Sequence, residues 1–322
     1  MNKKILVLLA ILVPLSGVCL IACGPRPVEI PDHDLNVMIR NAIEKPEGNI
    51  YPWELEELKT LKAGKMESWT TRHTIGEIFD LTGLEYCVNL QYLDLNTNPI
   101  TDITPLASLT KLRTLILNNA GITDISPLAS LSLLETLNLA NNQIMDISAL
   151  ASVTSLRELY LFSNKISDIS ALSMLNNLEV LLLGPIWEFR FFMDPILILP
   201  GSSNRVSDLS PLQDLVSLKY LNVGANVISE IKPISNLVNL KILSLFSNYI
   251  TDISPLVSLV KLNELNLFAN EIEDVHPLLS LINLKKLNLF GSSREYIDKN
   301  REVLVNLMDK GVEFSLDEDS PP

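Results

Sequence analysis

Cysteine and histidine are scarce, with three of each in 322 residues. That scarcity excludes a disulfide framework and any zinc site rich in Cys or His. Cations are in the minority, 25 Lys and Arg against 38 Asp and Glu, for a net charge of −13. A sequence-independent grip on a phosphate backbone would work against that charge, so nucleic acid is not an expected partner. The short runs that announce many catalytic sites are missing too: no G-x-S-x-G, H-E-x-x-H, G-x-G-x-x-G or Walker-type segment occurs. His33, His73 and His276 lie far apart along the chain. They supply no convergent acid or base, and neither an enzyme, a cofactor nor a bound metal is expected. What is abundant is apolar mass. At 47% hydrophobic and 20% charged, the chain has enough for a large core and is too apolar to be disordered as a whole.

At the N-terminus, Lys3 and Lys4 precede an apolar run of 11 residues from Ile5 to Leu15. That run is too short to span a bilayer, which needs about 20 residues, and it has the pattern of a secretory signal. The following Leu20-Ile21-Ala22-Cys23 resembles a bacterial lipobox. The resemblance implies cleavage before Cys23, acylation of its thiol and a protein held outside the cytoplasm by lipid; inner versus outer membrane stays open. Two or three acyl chains make a lasting anchor, at about 0.8 kcal/mol per buried CH₂. An ordinary secretory signal is the competing reading. Residues 1–22 are thus expected to be a signal peptide and 23–31 a short tether.

From Asn89 the chain repeats itself every 22 residues, with nine copies starting at Asn89, Lys111, Leu133, Ser155, Asn177, Ser217, Asn239, Lys261 and Asn283. Such a period means a solenoid. In the first copy, Leu93 and Leu95 alternate with polar neighbours, the pattern of a short strand with one face buried. Ile100, Ile103, Leu106 and Leu109 are spaced by three, which suits 3₁₀ or irregular turns on the opposite side. One copy cannot bury its own apolar face, whereas stacked copies share a core with parallel strands about 4.8 Å apart. Cys87 falls in a column filled by Leu or Val in later copies, so buried packing is expected of it.

The unit "NLKILSLFSNYITDISPLVSLV" from Asn239 to Val260 resembles the leucine-rich repeats of bacterial internalins. The resemblance implies an α/β leucine-rich repeat solenoid, with a curved parallel sheet on its concave face, 3₁₀ or irregular turns on its convex face and helical caps. It also implies that one Asn per copy sits inside the turn after the strand and satisfies neighbouring backbone groups. Asn98, Asn142, Asn164, Asn204, Asn226, Asn248 and Asn270 match that position. Ala120 and Ser292 depart from it, so a weaker ladder is expected at the second copy and at the C-terminal end. A second column runs Asp102, Asp124, Asp146, Asp168, Asp208, Asp252 and Asp274, with Glu230 as the variant. Stacked carboxylates are the ligand type of Ca²⁺. Each one, however, precedes a step such as Ser-Pro or Ser-Ala that opens a helical turn, where carboxylates accept backbone hydrogen bonds.

Both ends of a solenoid need covering. Residues 32–66 are expected to form a helical cap and the start of a divergent repeat, 67–292 the repeats with an inserted loop at 184–203, 293–316 a helix and strand cap, and 317–322 an acidic tail.

Binding is where the copies differ. Strand side chains alternate, so the residue between the two strand Leu and the one after the second project from the concave face. These positions hold Tyr160, Leu182 and Tyr220's neighbour Asn222 in one column, and Phe162, Phe246, Phe268 and Phe290 in the other. An outward Phe column is not needed by the repeat core and has the chemistry of an interface; the alternative is that the rings pack on one another and on a loop. The fifth copy has 40 residues instead of 22, and its extra length carries Trp187, Phe189, Phe191 and Phe192. It is expected either to fold over Tyr160, Phe162, Leu182 and Tyr220 or to reach towards a ligand. Internalin-like relatives recognise proteins, so the resemblance implies a protein partner. A glycan or cell-wall ligand with an envelope-organising role is the alternative.

Overall fold

The computed structural model describes residues 26–64, 77–185, 203–289 and 299–314. Their strands form one parallel sheet of 11 in sequence order, from β1 (Thr60–Lys62) through β2 (Tyr92–Asp94), β3 (Thr114–Ile116), β4 (Thr136–Asn138), β5 (Glu158–Tyr160), β6 (Val180–Leu182), β7 (Tyr220–Asn222), β8 (Ile242–Ser244), β9 (Glu264–Asn266) and β10 (Lys286–Asn288) to β11 (Glu313–Phe314). Each central Leu lies beside the Leu one copy on, as Leu93 beside Leu115. The insertion changes only the step in sequence, since Leu181 still pairs with Leu221. The solenoid therefore continues past it in register.

Most copies leave their strand through a turn closed by the Asn ladder. Asn142 shows the chemistry: its Nδ2 donates to Leu117 O and Leu139 O, both at 2.9 Å, while its Oδ1 accepts from Ile122 N at 3.0 Å. One carboxamide thus links two turns and leaves no buried donor idle. Asn98, Asn164, Asn204, Asn226, Asn248 and Asn270 accept in the same way from Ile78, Ile144, Ile166, Val206, Ile228 and Ile250. Ala120 breaks the column, and Ile100 N turns instead to Asn98 O at 2.8 Å. Next to it, Asn142 Oδ1 also takes the N–H groups of Ala120 and Gly121. The residue before most ladder Asn lies in left-handed backbone, including Thr97, Ser163, Ala225, Ser247 and Ala269.

A 3₁₀ turn follows in each of the first eight copies, commonly with Pro in its first two positions, as in Thr104–Ser108 and Ser254–Ser258. Pro fits because the first helical N–H has no partner to lose. The interior is a continuous column, chiefly of Leu, Ile and Val, running from Ile30 to Val312. Cys87 belongs to it, and burial, helped by the charge of Glu85, pushes its thiol up to about 12. That thiol is packing, not a nucleophile.

Helix α1 (His33–Ala42) covers the first turn with Leu35 and Ile39. Its N-cap Asp32 accepts from Leu35 N at 2.9 Å and, through its other oxygen, from Phe79 N at 2.8 Å, which ties the cap to the divergent copy. A single helical turn, α2 (Pro52–Leu55), follows. At the far end α3 (Arg301–Asp309) buries Val303 and Leu307 and leads through Gly311, at φ +82°, into β11. The expected start of the helix and strand cap at 293 and the acidic tail lie outside the described residues. Among the described residues no helix is long and apolar enough to cross a membrane.

Candidate functional site

The concave face is built by the residues that flank each central Leu, and its expected open Phe column is closed in the middle. Phe162 is 8% exposed and Phe246 5%, while Leu182 beside them is 2% exposed. Large rings lie against small neighbours. Phe162 packs with Ala140 and Leu182 in a cluster separate from the repeat core, joined by half-buried Tyr160, Val180 and Tyr220. Phe246 lies over Gly224, where an added Cβ would stand 2.2 Å from its ring. That close approach requires glycine at 224. Phe268 remains half-buried. The physical reason is the composition of the column itself: Ala140, Gly184 and Gly224 leave room that adjacent rings fill.

Trp187, Phe189, Phe191, Phe192 and Phe290 lie outside the described residues. The stem of the insertion is described, and Asn222 holds it. Asn222 Nδ2 donates to Pro185 O at 3.0 Å, its Oδ1 accepts from Gly224 N at 2.9 Å, and its backbone O accepts from Leu183 and Gly184. In the sequence Asn222 looks like any other polar member of its column. The available signal was its place one copy after the insertion, where a second carboxamide is needed to tie the departing chain. Tyr160 OH donates to Glu158 Oε2 at 3.2 Å. Burial, with the charge of Glu158, pushes that phenol up to about 12, so it is a neutral donor at any physiological pH.

The Asp column caps turns. Asp102 Oδ1 accepts from Thr104 N, Asp146 from Ser148 N and Asp168 from Ser170 N, each at 2.8 Å. Such bonds, from the Thr or Ser hydroxyl as well as the N–H, hold Asp102, Asp146, Asp168 and Asp208 below the usual carboxylate range. Asp274 is lowered in the same way by His276. His276 Nδ1 lies 2.6 Å from Asp274 in an exposed pair, His33 opens α1, and His73 is outside the described residues.

Leucine-rich repeat families match residues 89–109, 110–152, 154–175 and 238–279. No curated protein matches the chain. Among solved structures it is similar to an internalin (inlF) of Listeria monocytogenes, with 29% identity and a TM-score of 0.63 over 87% of this chain and 83% of that one. It is also similar to an internalin C2 (inlC2) of the same organism, with 30% identity and a TM-score of 0.58 over 80% of this chain and 93% of that one. Sharing that repeat, that sheet and that identity along nearly the whole of a relative, the chain belongs to the internalin family of leucine-rich repeat proteins.

Proposed function

We propose that this is a lipid-anchored extracytoplasmic binding protein that recognises another protein through its concave face and inserted loop. One observation carries the reading: an apolar cluster of Ala140, Phe162 and Leu182 with Tyr160, Val180 and Tyr220 stands on the concave face, outside the repeat core, beside the held stem of the insertion. No turn of the solenoid needs that cluster for its own closure. Aromatic groups seated among apolar neighbours dominate the energy of protein interfaces, and Tyr offers a polar tip on an apolar body. The burial of Phe162 and Phe246 shifts the expected contact from an open Phe stripe to the half-buried rims, Tyr160, Tyr220 and Phe268. The anchor rests on the signal-like segment and Cys23. Cys23→Ser is expected to abolish acyl labelling and detergent partitioning, and unchanged labelling would remove the anchor from the reading.

The test of recognition uses the soluble chain from Val28 onward. A partner is captured and identified by mass spectrometry, and Tyr160→Ala with Tyr220→Ala is then presented to it. Loss of at least about 2 kcal/mol of affinity with an unmoved melting temperature supports the concave face. Unchanged affinity sinks it. Saturable binding to isolated peptidoglycan that depends on the same Tyr pair would put the envelope-organising reading in its place.

A further inference from the structure

The edge where the chain enters each strand changes character along the solenoid. Two residues before the central Leu, the early copies alternate in sign: Arg113 pairs with Glu135, and Arg157 Nη1 pairs with Glu179 at 2.8 Å. Glu179 also pairs with Lys219, and these two cations, Lys219 first, hold its carboxyl below its ordinary range. There the alternation stops. The next positions are Lys241, Asn263 and Lys285. Lys241 is exposed, its neighbours one copy away are Lys219 and Asn263, and among the described residues no carboxylate reaches its ammonium. Lys261, on the same edge, donates to Asn239 Oδ1 at 2.7 Å, a neutral acceptor. A shallow cavity of about 380 Å³ opens here, lined by Arg157, Lys219, Lys241 and Lys261 with Glu179 as its one carboxylate, and by Asn177, Asn239 and Ser217. Three positive charges in excess thus gather at one place in a chain of net charge −13.

A second column changes at the same point. Beside this edge the column opens on Val88, continues with Thr110, Ser132, Thr154 and Asn176, and then holds Val216, Val238, Val260 and Ile282 without a break. These four are 48%, 42%, 39% and 75% exposed. Cations, of which only Lys219 meets a carboxylate among the described residues, and an aliphatic row therefore run over the same copies. Neither run is needed by the fold, because the copies that carry Ser132, Thr154 and Asn176 close the same turns without an aliphatic row and with carboxylates between their cations.

We infer that this edge is a second binding site, for an extended acidic peptide segment of a partner protein. In an extended segment successive side chains point to opposite sides, so carboxylates can meet Lys219, Lys241 and Lys261 while the alternate apolar side chains cover the Val row. With strands about 4.8 Å apart, four rows span about 15 Å, the reach of about five extended residues. A phosphate polymer would use the cations and leave the aliphatic row wet. A bilayer would need protruding side chains, and Val216, Val238 and Val260 are more than half covered. The site is separate from the concave face and does not depend on it.

The experiment uses the full chain and a fluorescein-labelled ten-residue peptide alternating Glu with Val, beside its counterpart with Gln for Glu. Saturable binding of the Glu peptide that weakens with salt is expected, with weaker binding of the Gln peptide. Lys241→Glu should lower affinity by about tenfold or more and Val238→Ser by about threefold, while Lys165→Glu, on the opposite edge, should leave it unchanged. Lys241→Glu restores the alternation, so its melting temperature should stay or rise; if it falls, Lys241→Gln replaces it, with about a threefold loss expected. Equal binding of the Glu peptide by Lys241→Glu, or equal binding of the Gln peptide by the unaltered chain, overturns the proposal. So does Lys241-dependent capture of phosphatidylserine vesicles or inorganic polyphosphate in preference to the peptide.

Discussion

Two columns of this solenoid share one period and obey different rules. Inside the turn after the strand, Asn recurs because its carboxamide serves fixed backbone groups of two successive turns, as Asn248 does for Val223 O, Leu245 O and Ile228 N. At the edge before the strand, Arg113, Glu135, Arg157, Glu179, Lys219 and Lys241 differ in sign and partner. The backbone imposes nothing there. Where geometry fixes the chemistry the copies agree, so information about partners can reside only where they disagree. The interior should accordingly govern stability, and the edge should not.

Leu137→Ala, at a position 0% exposed in a central copy, is the harshest probe of that contrast. It removes buried methyl groups between stacked turns and should cost about 2 to 5 kcal/mol in urea unfolding. Because each copy touches only its neighbours, the loss should spread along the stack. A cost below about 1 kcal/mol would deny that stacked Leu hold the repeats together.

Asn142→Ala tests the ladder itself. Three N–H groups, of Ala120, Gly121 and Ile122, converge on its Oδ1. Orphaning them should cost about 3 kcal/mol. Asn270→Ala, half-buried near the C-terminal end, should cost about 1 kcal/mol, since water can reach the groups it leaves. Equal costs would mean that the missing carboxamide at Ala120 places no extra demand on its neighbour.

These interior columns were legible in the sequence because period and burial coincide: Leu93, Asn98 and Ile103 recur whenever a turn must close. The closing of the Phe column was only one of two readings the sequence allowed. An outward position reads as exposed from strand alternation alone, and the burial of Phe246 follows from the absence of a side chain at Gly224, one copy away. Likewise the role of Asn222 depends on where the insertion leaves the sheet, and the charge pattern at the edge emerges only when signs are compared between copies. Side chains that meet across copies escape a reading made along the chain.

Ala225→Gly should act in the opposite direction. Ala225 holds φ at 51°, a left-handed conformation that costs an L-residue about 1 to 2 kcal/mol. Glycine removes that cost while gaining about 0.4 to 1 kcal/mol of unfolded-state freedom. The net expectation is a gain of about 0.5 kcal/mol, read as a higher urea midpoint at an unchanged slope. A loss would show that the Ala225 methyl contributes more by packing than its backbone costs.

The smallest effect belongs to the edge. Arg157 and Glu179 pair at 2.8 Å with side chains 57% and 29% exposed, so solvent screening leaves Arg157→Ala a loss below about 1 kcal/mol. The sign with pH follows from the lowered carboxyl of Glu179. A group with a depressed folded-state value contributes its stability above the unfolded value, about 4.3 for Glu, and loses it as pH falls through the folded one. The difference between the unaltered chain and Arg157→Ala should therefore be present at neutral pH and fade in acid. Lys241→Ala should show no such difference at any pH, because no carboxylate reaches its ammonium in the described residues, and at low salt it should stabilise slightly by relieving repulsion from Lys219. Salt near 1 M, where the Debye length is about 3 Å, should bring both variants back to the unaltered chain. If Lys241→Ala instead destabilised as Arg157→Ala does, with the same fading in acid, the edge would be a single self-neutralising ladder, and its cations would no longer need a partner from outside.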